Sequence, residues 1–442
     1  MEEILSQARK IAAQAEVFQV FSKSTPVHFE ANRLKQIQTK ESTSTALRLI
    51  KDGKIGFAQA NGSIKPETLV NMATETCQFG TPAKFDFPGP KVYPQIDIFD
   101  SQIDEVTIDD MVELGEQLIA AIKQHTPDII CEASVTKGNA SVRIINSEGA
   151  KVSYNKSFFD LSLEGVLIQD DDMLFVGESQ SSCHPILDFK TVAEEVTRQL
   201  ELARNNVSLS TRPMSVIFTP RGVASALIAP LVTAFNGKVV LDGASPLKDK
   251  QGKQVFDKKF SLRDDATLPY QIASCPCDDE GVPSQQTPLI DHGVVSHFLY
   301  DLQTAALANT QSTGSGNRQG SLPTPSPSSL IIEEGDVSFW DMVKDIKEGL
   351  IIDQLMGAEQ GNILNGDFSG NVLLGYKIEG RKITGRVKDT MVSGNVYQLL
   401  RQLEAIGRET RWVGGLLRTP CLYCSSLSVA TKGRMTSKCP RG

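Results

Sequence analysis

The chain has 442 residues, 40% of them hydrophobic and 22% charged, as is ordinary for a globular protein. This length predicts two or three domains, each large enough to bury a core. The net charge of -8 argues against nucleic acid or an anionic membrane as a partner, because phosphate binding requires clustered Lys and Arg. No apolar run approaches the roughly 20 residues that span a bilayer, and the N-terminus does not resemble a signal peptide. We therefore expect a cytoplasmic protein whose eight cysteines are reduced.

Residues 1–207 carry mixed helix and strand patterns. Apolar residues at helical spacing predict helices over 2–16, 107–125 and 190–204, the second with Thr107 as its N-cap. Alternating segments separated by turn residues predict β-hairpins that turn at 52–53 and at 147–149. The N-terminal domain is therefore expected to belong to the α+β class.

A polar segment separates this domain from a second domain over 213–431, where strand patterns between Gly-containing turns predict a mostly β fold. Its early part predicts one helix, with Thr219 as the N-cap and Gly237 as the C-cap. The helix is apolar on all sides, which predicts burial, and Pro230 in its interior predicts a kink. The basic tail over 432–442 is expected to be disordered.

Residues 312–330, STGSGNRQGSLPTPSPSSL, form a low-complexity segment between strand-like sequences. This pattern predicts a long mobile loop within the second domain. Its GSGN stretch lacks the Lys and the following helix start of a phosphate-binding loop. A loop that contacts a substrate or a partner is the better interpretation.

The window from 277 to 301 combines a cysteine, several acidic residues and two of the five histidines, as a metal site would. His292 and His297 are separated by an odd number of positions, which places them on opposite faces of a strand and far apart around a helix. We therefore interpret the acidic residues before Gly281 as a solvated turn and the two histidines as unrelated.

Two cysteine pairs, Cys421 with Cys424 and Cys275 with Cys277, could in principle form a four-cysteine zinc site. However, C-x-C is not the usual partner of C-x-x-C, and the following SSLSVA predicts a strand instead of a zinc knuckle. Buried reduced thiols are the favoured interpretation. Since no G-x-S-x-G elbow occurs either, residue chemistry alone identifies no active site.

Three segments carry a family resemblance: DDEGVPSQQTPLIDHGVVSHFLYDLQTA from position 278, STGSGNR from 312, and NGDFSGNVLLGYKIEGRKITGRVKDTMVSGN from 365. In this order they resemble the second half of the TldD/PmbA family. The resemblance covers 213–431 and extends more weakly to the first domain. The family was first described as modulators of DNA gyrase, and its members are understood as two-subunit bacterial and archaeal metallopeptidases.

The resemblance includes one clear departure. The TldD-type subunit of the family carries H-E-x-x-x-H on a helix after a strand, and a later Cys, and the Glu of such a motif can activate a metal-bound water. The matching step here is SVIFTPRGVASALIAPL, and no His, Glu, Asp or Cys occurs from Thr219 to Phe235. The chain therefore resembles the other subunit, called PmbA or TldE, and neither histidine of the 277–301 window is implied as a ligand.

The resemblance thus implies the metal-free subunit of a heterodimeric metallopeptidase that processes unfolded peptides and is inactive alone. It implies no catalytic residue, no metal and no cofactor in this chain, and a metal, expected to be zinc, in a TldD-type partner. A peptide could be held by strand addition at an exposed sheet edge. The alternative is a non-catalytic binding or regulatory protein, for example a DNA gyrase modulator, that acts as a homodimer.

Recognition usually resides in loops on a rigid scaffold. We therefore expect substrate or partner contacts from Asp278, Asp279, Glu280, Gly281, Ser312, Thr313, Gly314 and Asn317. The Gly and Asn residues among them could equally serve turn geometry.

Overall fold

The structure is a computed structural model that describes residues 1–170 and 172–431. The predicted disorder of 432–442 concerns residues outside this range. No helix within the range combines the length and the hydropathy needed to cross a membrane. The described chain mixes helices with a larger share of strands, and its C-terminal half is mostly β, which confirms the predicted α+β class.

The N-terminal half is built around one antiparallel sheet. Its strands are β1 (Gln14–Glu30), β2 (Arg33–Ile37), β3 (Lys40–Lys51), β4 (Lys54–Asn61), β5 (Ile130–Asn146), β6 (Lys151–Gln169) and β7 (Asp172–Ser182). Its helices are α1 (Glu2–Ala8), α2 (Pro66–Thr76), α3 (Gln102–Glu105), α4 (Ile108–His125) and α5 (Lys190–Leu202). The strands are ordered β4-β3-β1-β5-β6-β7, and β2 pairs with the end of β1.

The predicted elements of this half are confirmed, with one exception. The hairpins turn where expected, and Thr107 caps α4 in a capping box with Asp110. The helix expected over 2–16 is wrong in its second half, because α1 ends at Ala8 and β1 begins at Gln14. Pairing of β1 with β3 on one side and β5 on the other overrides the helical spacing, because a central strand satisfies its backbone groups on both edges.

The C-terminal half is organised around a large mixed sheet. The strands of this half are β8 (Asn206–Val207), β9 (Arg212–Phe218), β10 (Leu262–Asp265), β11 (Gln286–Asp291), β12 (Val294–Val295), β13 (Gly316–Asn317), β14 (Thr324–Pro325), β15 (Leu330–Ile332), β16 (Glu348–Met356), β17 (Asp367–Glu379), β18 (Lys382–Val387), β19 (Thr390–Asn395), β20 (Leu403–Val413) and β21 (Leu417–Thr431). Its α-helices are α6 (Pro220–Ala226), α7 (Ile228–Phe235), α8 (Gly237–Leu241), α9 (Leu302–Leu307), α10 (Phe339–Asp345) and α11 (Val396–Leu399). At its centre β9 runs parallel to β16 and antiparallel to β21.

The single helix expected after β9 is two helices that meet at Leu227. Pro230 causes this break, because its ring clashes with the carbonyl of the residue four positions earlier, Ala226. The Thr219 hydroxyl accepts the Gly222 amide at 3.3 Å, which confirms the predicted N-cap. The C-cap prediction is wrong: Asn236 ends α7, and Gly237 begins α8.

The two halves share a hydrophobic core. One face of the C-terminal sheet packs against α6 and α7 through residues such as Phe218 and Phe235. On the other face, Ile351 and Tyr376 lie in one cluster with residues of α4, α5 and the N-terminal sheet. Helix α5 therefore packs between the two sheets, and its Glu195 and Arg198 line the same cleft as Thr219 at the start of α6.

Candidate functional site: a charged cleft at the start of helix α6

The structure brings the two segments of predicted contact residues together. The Asp279 amide donates to the Gly316 carbonyl at 2.9 Å, and the Gly316 amide donates to Asp278 Oδ2 at 2.8 Å. A Cβ at Gly316 would lie 2.5 Å from a Glu280 carboxylate oxygen. The acidic turn and the predicted loop therefore touch at Gly316, where a larger side chain would press on the Glu280 carboxylate.

The acidic turn is buried instead of solvated, so that part of the interpretation is wrong. Asp278 and Glu280 are 7% and 1% exposed. Arg48 of β3 donates to Glu280 at 2.5 Å and to Glu16 of β1 at 3.2 Å, and Arg318 also pairs with Glu16. These ion pairs connect the turn to the N-terminal sheet, and buried charges of this kind require such partners.

Hydrogen bonds to Tyr300 anchor the first residues of the loop over 312–330, and the mobility of the loop stays a prediction. The Tyr300 amide donates to the Thr313 hydroxyl at 2.8 Å, and the Ser312 hydroxyl donates to the Tyr300 carbonyl at 3.0 Å. Gly314 is buried, and Asn317 is exposed in the short hairpin of β13 and β14. Contact of these eight residues with a substrate or partner stays a prediction.

The cysteines and histidines of the candidate metal sites do not converge. Cys421 and Cys424 lie on opposite faces of β21, and Cys277 packs against the N-terminal sheet. His292 lies in the turn between β11 and β12 and contacts Asp291, whereas His297 contacts the Pro288 carbonyl. Within residues 1–170 and 172–431, no group of three or more His, Cys, Asp or Glu side chains could hold a metal ion.

A cleft of 280 Å³ opens at the start of α6 instead. Its lining includes Glu178, Glu195, Arg198, Thr219, Arg221, Trp340, Asp353, Glu409, Arg411, Trp412 and Cys421. They come from β7, α5, α6, α10, β16, β20 and β21. The sheet register explains part of this convergence, because Phe218 of β9 pairs with Ile352 of the parallel strand β16. The next residues, Thr219 and Asp353, therefore lie side by side at the carboxyl end of β9, and such strand ends often carry ligand sites.

Helix α6 lies very close to β16. A Cβ at Gly222 would lie 2.2 Å from the Ile352 carbonyl oxygen. Arg221, one residue earlier, donates to the carbonyl of Gly177 and, at 3.1 Å, to the side chain of Gln354. Close packing at Gly222 thus holds the first turn of α6 against β16. The Arg221 side chain from this turn lines the cleft.

Asp353 is the most deeply buried acid of the cleft, with its side chain 2% exposed. The Thr219 hydroxyl donates to Oδ1 at 2.8 Å, but Oδ2 has no hydrogen-bond partner within the described residues. The nearest cation, Arg221 Nε, is 3.9 Å from Oδ2. Burial raises the pKa of Asp353 above its ordinary value, and Arg221 and Thr219 offset only part of this rise.

Two other acids of the cleft, the buried Glu195 and the partly buried Glu178, differ in their partners. Burial would raise the pKa of Glu195, but hydrogen bonds and ion pairs with Arg198 and Arg411 lower it below its ordinary value. Glu178 accepts the Ser179 amide at 2.8 Å, and burial raises its pKa. The cleft therefore combines one fully paired carboxylate with two that are poorly compensated.

Sequence reasoning missed these acids and arginines. They come from elements that are far apart in the chain, from Glu178 to Cys421. None of them lies in a short motif with recognisable spacing. The only signal was the apolar helix that begins at Thr219. Arg318 was also missed, although it directly follows the predicted contact residue Asn317.

The fold is that of an α+β protein with two large sheets and the short β13–β14 hairpin, and a charged cleft lies at the strand-to-helix step from β9 to α6. Family models match three parts of the chain. They are described as PmbA/TldA metallopeptidase domain 1 over 15–77, central domain over 101–204 and C-terminal domain over 211–431. The chain belongs to the PmbA/TldD metallopeptidase family, which confirms the resemblance found in the sequence.

Several relatives are similar over most of their length. An uncharacterized protein of Methanocaldococcus jannaschii is 28% identical, covering 91% of this chain and 93% of that protein. A Haemophilus influenzae metalloprotease PmbA homolog is 27% identical over 73% of this chain and 68% of that protein. The same organism has a metalloprotease TldD homolog that is 25% identical over 62% of this chain and 59% of that protein.

Two solved structures share the fold. TldE from Thermococcus kodakarensis superposes with a TM-score of 0.88 at 24% identity, covering 97% of this chain and 99% of that one. A Thermotoga maritima protein described as a candidate modulator of a DNA gyrase also has a TM-score of 0.88, at 21% identity, and covers 97% of this chain and 99% of that one. At these identities the likeness is one of fold.

Proposed function

We propose that this chain is the metal-free subunit of a two-subunit metallopeptidase that processes unfolded peptides, with a TldD-type subunit as its partner. The observation that carries the proposal is the chemistry of the strand-to-helix step. From Thr219 to Phe235 the chain has no His, Glu, Asp or Cys, the side chains that bind zinc. Family membership supports a peptidase role, and the lack of ligating side chains at this step supports a metal site in the partner.

The cleft residues do not fit a metal ion. Neither at the cleft nor elsewhere in residues 1–170 and 172–431 do three or more His, Cys, Asp or Glu side chains lie together so that they could hold a metal ion. Gly222 cannot be replaced by a ligating residue without a clash with the Ile352 carbonyl. Cys421 is the remaining soft donor of the cleft, and burial raises the pKa of its thiol to about 12, which opposes the thiolate that zinc requires.

In this proposal the chain shapes the peptide-binding cavity and excludes water, while its partner supplies the metal and the activated water. Haemophilus influenzae relatives named for PmbA and for TldD occur in one organism, which supports a pairing of unlike subunits. Peptide contacts by the acidic turn at 278–281 and by Ser312, Thr313, Gly314 and Asn317 form part of the proposal.

The test mixes the purified chain with a TldD-type subunit and an unfolded peptide. We expect no stoichiometric metal in the chain alone by elemental analysis, no cleavage by the chain alone, and cleavage by the mixture. As a control, the TldD-type subunit is assayed alone with the same peptide.

Stoichiometric zinc and cleavage with the chain alone would refute the subunit assignment. A stable homodimer that neither joins the partner nor supports cleavage would favour the alternative, a binding or regulatory protein. The Thermotoga maritima structure described as a candidate gyrase modulator motivates a gyrase supercoiling assay in that case.

A further inference from the structure

The unpaired oxygen of Asp353 is the starting observation. Its side chain is 2% exposed and lines the cleft, and Oδ2 has no hydrogen-bond partner in the part of the chain that the structure describes. Leaving a buried carboxylate oxygen unpaired is costly, by about 1–3 kcal/mol or more. A ligand that brings a hydrogen-bond donor to Oδ2 would remove this cost.

The charges of the cleft favour a cationic donor. Its lining includes the four carboxylates of Glu178, Glu195, Asp353 and Glu409 and the three guanidinium groups of Arg198, Arg221 and Arg411. Each arginine is already engaged: Arg198 and Arg411 pair with Glu195, and Arg221 donates to two oxygens. The carboxylates outnumber the guanidinium groups by one, and the guanidinium nearest to Asp353, that of Arg221, is 3.9 Å from Oδ2.

The walls of the cleft suit a long side chain with a positive end. The chain has only two tryptophans, Trp340 and Trp412, and both line this cleft. Trp340 is 54% exposed, and Phe339 packs edge-on against it at 5.2 Å. Aromatic faces attract cations and also bury the aliphatic stems that carry them.

We propose that the cleft binds a basic side chain, lysine or arginine, with its cationic group at Asp353 and Glu178 and its stem against Trp340 and Trp412. The assignment rests on the proposed function in so far as this side chain belongs to the peptide substrate. The volume of 280 Å³ is slightly below the range of about 300–1,000 Å³ for whole small-molecule sites. It therefore suits a single side chain.

The test uses the chain alone and its own tryptophan fluorescence. The probes are N-acetyl-lysine methylamide and N-acetyl-arginine methylamide, with the norleucine and glutamate analogues as uncharged and acidic comparisons. We expect a saturable fluorescence change with the two basic probes only. Asp353→Asn keeps an oxygen that accepts the Thr219 hydroxyl but removes the negative charge. It should weaken binding of the two basic probes about tenfold or more.

Two further variants keep the result interpretable. Trp340→Ala alters an exposed side chain that should not be needed for folding, and it should weaken binding of the basic probes when measured by calorimetry. Glu379→Gln changes an exposed carboxylate that pairs with Lys377 outside the cleft, and this variant should bind the probes as the wild type does. Thermal unfolding checks that each variant is folded.

Equal binding of the norleucine or glutamate probe, or no saturable change with either basic probe up to its solubility limit, would overturn the assignment. This outcome is separable from failure of the peptidase proposal. Cleavage by the mixed subunits without binding of basic probes would refute only the basic-side-chain site. Binding of basic probes without cleavage by any mixture would refute only the peptidase role.

Discussion

Arg48 and Glu280 form an ion pair with 2.5 Å between Nη1 and Oε1, although 232 positions separate them in the chain. Their side chains are 3% and 1% exposed. Arg48 lies on β3 of the N-terminal sheet, and Glu280 lies in the acidic turn of the C-terminal half. The rings of Phe85 and Phe87 lie 4.9 and 4.8 Å from the Arg48 guanidinium. This pair therefore connects the two halves in a place that water does not reach.

Glu280→Gln should destabilise the protein by about 3–5 kcal/mol, because it leaves the Arg48 charge buried with one partner fewer. The free energy of unfolding is measured by denaturant titration. Glu41→Gln is the matched control, since Glu41 pairs with Lys23 at the surface with both side chains about half exposed. That change should cost less than about 1 kcal/mol. Similar losses for both variants would contradict a special role for the buried pair.

Gly222→Ala should destabilise the protein although alanine favours helices, because its Cβ would lie 2.2 Å from the Ile352 carbonyl oxygen. Overpacking of this kind costs about 1–3 kcal/mol, which exceeds the gain of about 1 kcal/mol in helix propensity. Thermal unfolding measures the loss. At Gly89 a Cβ would lie 3.8 Å from its nearest neighbour, so Gly89→Ala is the control. An unchanged melting temperature for Gly222→Ala would refute the close packing of α6 on β16.

Asp264 should make stability depend on pH. It is 3% exposed, and burial, followed by the charge of Asp265, raises its pKa from 3.8 to about 7 although the amides of Ser328 and Ser329 donate to it. Between these two pH values the folded state binds more protons than the unfolded state, so the free energy of unfolding falls as pH rises.

Asp264→Asn removes this titration. Between pH 4 and pH 8, the free energy of unfolding of the variant should therefore rise relative to that of the wild type by up to a few kcal/mol. Denaturant unfolding at several pH values measures the difference. Asp242→Asn alters an exposed carboxylate paired with Lys238 and serves as the control. Parallel curves for wild type and Asp264→Asn would show that Asp264 does not titrate in this range.

Cys421 and Cys424 should react slowly with iodoacetamide in the folded protein. Burial raises the pKa of each thiol to about 12, so very little of the reactive thiolate exists at pH 8. Mass spectrometry of the modified peptides reports the two sites, with the denatured protein as the control. Rapid labelling of Cys421 in the native state would instead identify an activated thiol in the cleft.

Much of the fold could be predicted from local sequence. The hairpin at Asp52 and Gly53 and the caps at Thr107 and Thr219 depend on neighbouring residues only, and short-range geometry determines them. The end of α1 was wrong, and the acidic turn at 278–281 was interpreted as solvated. Both errors have the same origin, because contacts with distant residues determine the two regions. Pairing with distant strands determines where β1 begins, and contacts with Arg48 and Arg318 bury the acidic turn.

The sequence by itself determined the family, the α+β class and the absence of metal-binding side chains from Thr219 to Phe235, because each is a property of contiguous residues. Only the tertiary structure decided that Asp353, Glu178 and both tryptophans share one cleft. The physical reason is that these residues are brought together by the parallel pairing of β9 with β16 and by the packing of α5 between two sheets. Such long-range contacts leave no periodic pattern in the sequence, since the side chains of the cleft come from seven elements that lie far apart in the chain.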